Sequence, residues 1–390
     1  MRLASLSLRD FRNIESLDLE LPPGISVFHG DNGQGKTNLL EAVYLLATLK
    51  SVRGSKNAEL LRHSIDESGK KTVASCAVIK GRLVTAGLPR DYQVTIEKSG
   101  KRIRVDGKDP RGLPEYFQGI KAVAFVPSDL RMVDGGPDLR RSFLDRAAFT
   151  LDSGYLDVAR EYQAALKQKN ALLRDAKRRG RAPDKALLSV WNDKLIPAGV
   201  EVIAHRVAFL ERFAPVFRAV HEGITGAAKG RAEVRYRGPV TAAAVQGGRE
   251  GIAEELRRKI EGAFPAEARR GHATVGPHRD DWELRVGGEP LRAFGSQGQV
   301  RSAALAMRMA VMELTMASAG VCPLFLLDDV SSELDTHRNR QLMDRLATLG
   351  AQVLVTTTSM NNLRLDGHQV ASWAVREGTV HASPSGGSGA

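Results

Sequence analysis

Apolar and polar positions alternate through the first thirty residues. Leu6 and Leu8, then Leu17, Leu19 and Leu21, share one face, with Asp18 and Glu20 on the other. A period of two marks a strand with one buried face, and the polar stretch RDFRNI between the runs predicts an antiparallel hairpin. GISVFHG (24–30) reads as a short buried strand. TNLLEAVYLLATL (37–49) has apolar residues at 39, 40, 43, 46 and 47, the spacing of a helix. More strands are predicted near 73–79, 92–97 and 101–105 and within IKAVAFVPSDL (120–130).

The pattern changes near 138. LDVAREYQAALKQKNALLRDAKRR (156–179) has helical spacing with no interior Gly or Pro, and RGRAPD (179–184) is a turn. Residues 184–224 predict one or two further helices, interrupted near Pro197. After about 270 strands return. DWELRVGG is a strand and turn, 296–317 a helix with a polar start, PLFLLDD (323–329) and AQVLVTTTS (351–359) buried parallel strands, and ASWAVREGTVHA a closing hairpin. The expected organisation is an α/β fold in four stretches. Residues 1–137 and 271–382 form one strand-rich lobe, 138–270 an inserted, mainly helical lobe, and 383–390 (SPSGGSGA) a flexible tail. No sustained heptads occur, which excludes a long coiled coil, and there is no internal repeat.

Composition narrows the class. A chain of 390 residues has room for two domains, or one large domain with an insertion. No run approaches 18 apolar residues, so no membrane span is expected, and charges in MRLASLSLRDFRN argue against a signal peptide. Cys76 and Cys322 lie far apart in apolar stretches and read as buried thiols, not a disulfide or metal framework. The expected compartment is the cytoplasm. The net charge of +12 and pI near 9.8 point to a polyanionic partner, nucleic acid or an acidic membrane surface. Between Arg160 and Lys185 nine Lys/Arg face three Asp/Glu, half the total excess. A solvated helix face accounts for that run as well as a binding surface does.

The strongest chemical signal is GDNGQGKT (30–37), a Gly-x4-Gly-Lys-Thr loop between a predicted strand and a predicted helix. Glycines let the backbone turn its N–H groups onto phosphate oxygens, and the helix end adds its dipole. Lys36 is suited to β- and γ-phosphates and the Thr37 hydroxyl to Mg²⁺. Gly30, Asn32, Gly33, Gly35, Lys36, Thr37 and Asn38 are the expected nucleotide-binding residues here. PLFLLDD ends in two acids: Asp328 is expected at the metal with Thr37, and Asp329 as the base that accepts a proton from water. FGSQGQ (294–299) puts Ser296 at a helix start, a second anion site. One nucleotide has no need of two such helix ends from one subunit, unless the second comes from a facing copy.

Taken with LRDFRNIESLDLEL, SQGQ at the place of a Ser-Gly-Gly-Gln signature, and FLLDDVSSELD as a Walker B strand with a D-loop ending at Asp335, this loop resembles the ABC-type ATPases of the SMC and Rad50 class. GGPDLRRSFLDR (135–146), ALKQKNALL (165–173) and GPHRDD (276–281) are similar to one family of that class, the RecF family of bacterial recombination mediators. The resemblance spans roughly residues 1–365. It implies an ABC-type P-loop ATPase head, with ATP and Mg²⁺ held between two subunits. Ser296, Gln297 and Gly298 would complete a partner's site, with Gln299 as the closing Gln. Asp129 in PSDL would take a Q-loop position and help hold the metal water, Arg12 and Asn13 would contact phosphate, and Thr357 would sense the γ-phosphate where a switch His is absent. Asp329 stands where most such ATPases have Glu, which implies slow hydrolysis. The resemblance further implies an ATP-dependent homodimer that clamps double-stranded DNA at single/double-strand junctions of gaps, and partnership with RecR in recombinase loading. A transporter ATPase fits the 138–270 insertion poorly, and a nuclease-associated ATPase would need a far longer coiled-coil insertion. A kinase-like enzyme without a DNA role would need a second nucleotide site. The residues of GPHRDD suggest no role; structural and functional parts for His278 and Arg279 stand level.

Overall fold

The computed structural model describes residues 1–65, 69–152, 154–226, 232–329, 336–360, 363, 365 and 367–383. In chain order the strands begin with β1 Arg2–Phe11, β2 Ile14–Glu20, β3 Ile25–His29, β4 His63–Ile65 and β5 Lys71–Val73. β6 Cys76–Thr85, β7 Leu88–Glu97, β8 Gly100–Val105 and β9 Ala122–Phe125 follow. Then come β10 Ala232–Arg237, β11 Asp281–Val286 and β12 Glu289–Pro290, and finally β13 Leu324–Leu327, β14 Val353–Thr357, β15 Val370–Arg376 and β16 Thr379–Ala382. The chain divides into two compact units: 1–130 with 223–226 and 301–390, and 131–222 with 227–300.

Among the described residues the first unit holds two large sheets and the small antiparallel pair β4-β5. β1 and β2 form the N-terminal hairpin, with Leu6 opposite Leu19 and Leu8 opposite Leu17. They join β6, β7 and β8 in an antiparallel sheet of order β2-β1-β6-β7-β8. The second sheet has order β16-β15-β3-β14-β13-β9, parallel except for the edge strand β16. β9, β13 and β14 are buried at every residue, as strands covered on both faces must be. Their C-terminal ends meet at one edge, where open α/β sheets bind ligands. The run near 73–79 divides: Lys71–Val73 pairs with β4, and a separate ten-residue strand starts at Cys76. Cys76 and Cys322 are free and half-buried rather than buried. Ser383, first residue of the expected tail, is held by its N–H to the Ser372 carbonyl at 2.9 Å; 384–390 lie outside the described residues.

The second unit packs the helices Pro137–Leu151, Tyr155–Arg178, Lys185–Thr225 and Gly248–Arg270 with the small sheet β10-β11-β12. Lys185–Thr225 is one helix of 41 residues that continues through Pro197, where an interruption was expected. A proline inside a helix costs about 3 kcal/mol. Here Leu195, Ile196, Ala198, Val200, Val202 and Ile203 all lie in the core, and their burial offsets it. A ladder of Phe209, Phe213 and Phe217 on this helix meets Phe143 and Trp282.

Buried polar groups tie this unit together. Arg140 grips Asp281 with two bonds of 2.6 and 2.8 Å. Arg206 donates to Asp145 at 2.7 Å, to Asp280 at 2.9 Å and to the Pro277 carbonyl at 2.6 Å. The Tyr236 hydroxyl also donates to Asp280. Burial pushes the Asp280 carboxyl up to about 6, against the pull of Arg206. His278 sits between the Tyr162 hydroxyl at 2.6 Å and the Ala273 carbonyl at 3.2 Å. Its Nε2–H donates to that carbonyl and Nδ1 accepts from Tyr162. Burial holds the imidazole neutral, its pKa down to about 4.

A lowered histidine pKa stabilises the fold above the unfolded value near 6.5, and that stability is lost as pH falls toward 4. His278→Gln carries no titrating group, while Asp280 titrates alike in both proteins. The stability advantage of the unsubstituted chain over His278→Gln should therefore shrink by up to about 3 kcal/mol between pH 7.5 and 4.5 in denaturant titrations. A gap that stays constant would show that His278 takes up its proton at no cost.

Candidate nucleotide-binding site

β3 delivers the loop 30–37 and the helix Lys36–Thr48 follows. Gly30 has φ 149° and Gly35 has φ 110°, conformations that disfavour side chains. A Cβ on Gly30 would lie 2.4 Å from the Val375 carbonyl oxygen, and one on Gly35 2.8 Å from both polar atoms of the Asn13 side chain. The loop is braced from two directions. The Gln34 carbonyl accepts from the Gly378 N–H at 2.9 Å and from Asn13 Nδ2 at 3.1 Å, and the Gln34 side chain accepts from the Glu377 N–H at 2.7 Å. The β15–β16 turn thus supports the loop, which the sequence did not reveal. Lys36 folds back onto the Gly30 and Asp31 carbonyls at 2.7 and 2.8 Å. Burial lowers its pKa, and Asp329, Asp328 and Asp31 oppose that shift.

β13 ends at Leu327 and delivers the next residue, Asp328, whose Oδ1 accepts from the Thr37 hydroxyl at 2.8 Å and from the Thr356 hydroxyl at 2.7 Å. The Thr356 oxygen in turn accepts from the Asp329 N–H at 3.0 Å. One hydroxyl therefore fixes both acids. Asp329 has φ 49°, the left-handed region where strain is held by its surroundings. Burial raises the Asp328 pKa in spite of the Thr356 and Thr37 bonds and the nearby Arg53. Loop and acids border a pocket of about 310 Å³, to which Asn32, Gly33, Lys36, Thr37, Asn38 and the Arg53 guanidinium contribute.

The RecF/RecN/SMC N-terminal domain family matches residues 2–380. The DNA replication and repair protein RecF of Geobacter sp. (strain M21) is 38% identical, over 97% of this chain and all of that protein. RecF of Geobacter sulfurreducens is 39% identical, over 97% and 99%. The chain belongs to the RecF family. A solved structure of the recombination mediator protein RecF-ATPrS in the RecFOR pathway superimposes with TM-score 0.86 at 27% identity, covering 98% of each chain. An SMC head domain from Pyrococcus furiosus shares the fold, at TM-score 0.54 and 15% identity, covering 98% and 95%. The chain therefore has the ATPase-head fold of this class, and among the described residues no helix exceeds 41 residues.

Some residues that the RecF resemblance singled out stand elsewhere. Arg12 is turned to Glu41 at 2.9 Å, Ser55 at 2.6 Å and the Glu59 carbonyl at 2.8 Å, so it anchors the P-loop helix instead of bordering the pocket. Asn13 braces the loop and accepts from Asn38 Nδ2 at 2.8 Å. Asp129 is engaged by Arg308, which donates to both its oxygens at 2.9 and 2.7 Å, and by the Val126 N–H. Thr357 turns its hydroxyl to the Ser359 carbonyl at 2.9 Å; its neighbour Thr356 faces the acids. Arg53 entered no motif and was missed.

In the other unit, Ser296 and Gln299 close a reciprocal cap. The Ser296 N–H donates to Gln299 Oε1 at 2.8 Å and the Gln299 N–H to Ser296 Oγ at 3.3 Å, at the start of the helix Gln297–Ala319. Ser296, Gln297 and Gln299 are exposed and Gly298 is half-buried. Asp335 and the D-loop, 330–335, lie outside the described residues.

Gly30→Ala tests the brace. A Cβ must displace the Val375 carbonyl and sit at a φ that alanine avoids. A loss of about 2 kcal/mol or more is expected in denaturant unfolding, beyond the ordinary Gly→Ala effect. Unchanged stability would mean that the hairpin yields freely.

Proposed function

We propose that this chain is an ATP-dependent DNA-binding protein of recombination repair, with ATP and Mg²⁺ bound between the P-loop and the acids after β13. One observation carries the reading: Thr37 Oγ1 donates to Asp328 Oδ1 at 2.8 Å across 291 positions of sequence. The residues fit the ligand. Gly35 is packed so closely on Asn13 that only bare backbone lines the loop there. The Thr37 hydroxyl and Asp328 carboxylate are hard oxygen donors, and burial leaves that carboxylate short of positive charge. Among the described residues no cluster of three Asp, Glu, His or Cys forms a closed metal cage. That suits Mg²⁺, which one or two protein oxygens hold together with phosphates.

Bound there, ATP with Mg²⁺ would supply the transferable γ-phosphoryl group. Lys36 then leaves its two loop carbonyls for the β- and γ-phosphates, and Arg53 adds a second cation. Asp329, its backbone fixed through Thr356, accepts the proton of the attacking water at its carboxylate. Aspartate reaches less far than glutamate, so turnover is slow, and the enzyme activity is that of a weak ATPase serving as a switch. Ser296, Gln297, Gly298 and Gln299 complete the site of a second copy. The ATP-dependent homodimer closes on double-stranded DNA at gap junctions, acts with RecR in recombinase loading, and hydrolysis releases it. The names of the relatives, the likeness to a solved RecF-ATP structure and the net charge of +12 support this reading. No described helix is long and apolar enough to cross a membrane, in keeping with a place in the cytoplasm.

Three variants test it. Lys36→Met removes a charged bond to phosphate and should bind ATP about 10- to 100-fold more weakly, with ATP-driven dimerisation lost. Asp329→Asn should keep ATP binding yet lower hydrolysis by roughly 10²- to 10⁴-fold, trapping dimers on DNA. Ser296→Arg should bind ATP as a monomer and fail to dimerise. Mixed with Lys36→Met, it can form a heterodimer with one intact composite site, and hydrolysis should return. Heterodimers that form and stay inactive, while Lys36→Met paired with the unsubstituted chain is active, would refute the action of Ser296 on a partner's nucleotide.

A further inference from the structure

We propose that an open groove on the second unit, bordered by Lys177, Arg269, Arg270, His272, Thr274 and Arg279, binds the phosphodiester backbone of DNA. The groove has a volume of about 700 Å³. The inference rests on the DNA-binding reading above and gives it a surface.

The cations converge from three segments. Lys177 lies in the last turn of Tyr155–Arg178, Arg269 and Arg270 in the last turn of Gly248–Arg270, and Arg279 ends the turn Pro277–Arg279. All four are exposed, and among the described residues no carboxylate borders the groove. Among the described residues Arg269, Arg270 and Arg279 form no ion pair. Other cations of this unit do: Arg178, Arg179 and Arg181 share Asp175, Arg249 meets Glu201, and Lys259 meets Glu255. Three arginines of the basic run thus converge on one carboxylate, whereas the three arginines of the groove have none. The two helix C-termini ease the repulsion, but a polyanion satisfies it. Arginine forks match phosphate oxygens in pairs.

The groove is built on a buried polar frame. Lys169 and Glu267 pair at 2.8 Å, each side chain 2% exposed. Glu267 also accepts the Thr274 N–H at 2.7 Å, and Asn170 Oδ1 accepts the Ala273 N–H at 2.7 Å. His278 clamps Ala273 from the far end of the segment. Gly271 has φ 78°, and a Cβ there would lie 2.9 Å from Lys177 Cδ, so the chain turns tightly against the Lys177 stem. Lys169 and Asn170 come from ALKQKNALL, and His278 and Arg279 from GPHRDD. Two motifs without a part in the nucleotide site therefore fix the backbone that presents His272, Thr274 and Arg279. A merely solvated face needs no such frame.

The test uses the full-length chain with ATP and a short fluorescent duplex, titrated over a range of salt. Each phosphate contact adds about 0.9 to the slope of log K against log salt. Arg269→Ala/Arg270→Ala/Arg279→Ala should lower that slope by about 2 to 3, and weaken binding about 10- to 1,000-fold. Arg178→Ala/Arg179→Ala/Arg181→Ala removes the same formal charge from paired positions, and its slope should fall by less than about 1. ATP binding, measured on the same samples, should match the unsubstituted chain in both. Equal slopes for the two triple variants would overturn the groove and leave DNA binding intact. A duplex that the unsubstituted chain fails to bind with ATP would overturn the functional reading and the groove together.

Discussion

The candidate site depends on three parallel strands holding one register. β3, β14 and β13 lie side by side, with Thr357 opposite His29 and Leu327 opposite Val355. Side chains alternate across a sheet, so a slip of one residue in β14 would take Thr356 away from Asp328 and turn Val355 or Thr357 toward it. Apolar burial alone would tolerate that slip, because these strands are apolar on both faces. A polar contact does not. Gln352, the residue before β14 and 3% exposed, accepts the Leu3 N–H at 2.7 Å and donates to the Leu3 and Pro22 carbonyls at 2.9 and 3.0 Å. A buried amide leaves costly orphans if it moves, so it specifies register where hydrophobic contact would not.

This explains what the sequence disclosed and what it withheld. The P-loop was legible because its chemistry is local: four residue types at fixed spacing between a strand and a helix. Asp328 and Asp329 were legible because an apolar strand that ends in acids can deliver them to one edge. Thr356 and Thr357 were not separable, since the face that each meets is a fact of pairing and not of composition. The partner of Asp129 was not legible, because Arg308, which binds its carboxylate, lies 179 positions away. The partner of Arg12 was hidden in the same way, Glu41 being unmarked within an apolar helix. The Pro197 break was a correct statement of propensity, overridden by the burial of its neighbours. The brace from the β15–β16 turn left no trace, because backbone donors carry no sequence signature.

The second unit uses polarity differently. Arg206 reaches Asp145 and Asp280, so residues from 135–146 and from 276–281 meet on one guanidinium. A buried ion pair of this kind adds little net stability over apolar packing of the same shape. It does penalise every arrangement in which one partner is left alone, by several kcal/mol on the general scale. The raised Asp280 pKa, which Arg206 and Tyr236 oppose without cancelling burial, records that cost. These motifs read as conditions for one arrangement of helices and sheet, and that arrangement sets where Arg279 emerges.

The same accounting applied to the P-loop gives the two halves of the site opposite deficits. Asp328 accepts two hydroxyl bonds, yet burial still raises its pKa, so its anionic form is undercompensated. Lys36 spends two of its three donors on the carbonyls of its own loop, and burial still lowers its pKa. Each defect is the complement of one part of a metal–phosphate pair: Asp328 lacks a cation, and Lys36 with the loop N–H groups lacks an anion. Supplying the cation alone would crowd positive charge near Lys36. Supplying the anion alone would add negative charge beside Asp328 and Asp329. On the proposed reading the site is therefore poor at taking either ion singly and suited to both at once, a selectivity that follows from Thr37 and Lys36 being neighbours in one helix turn.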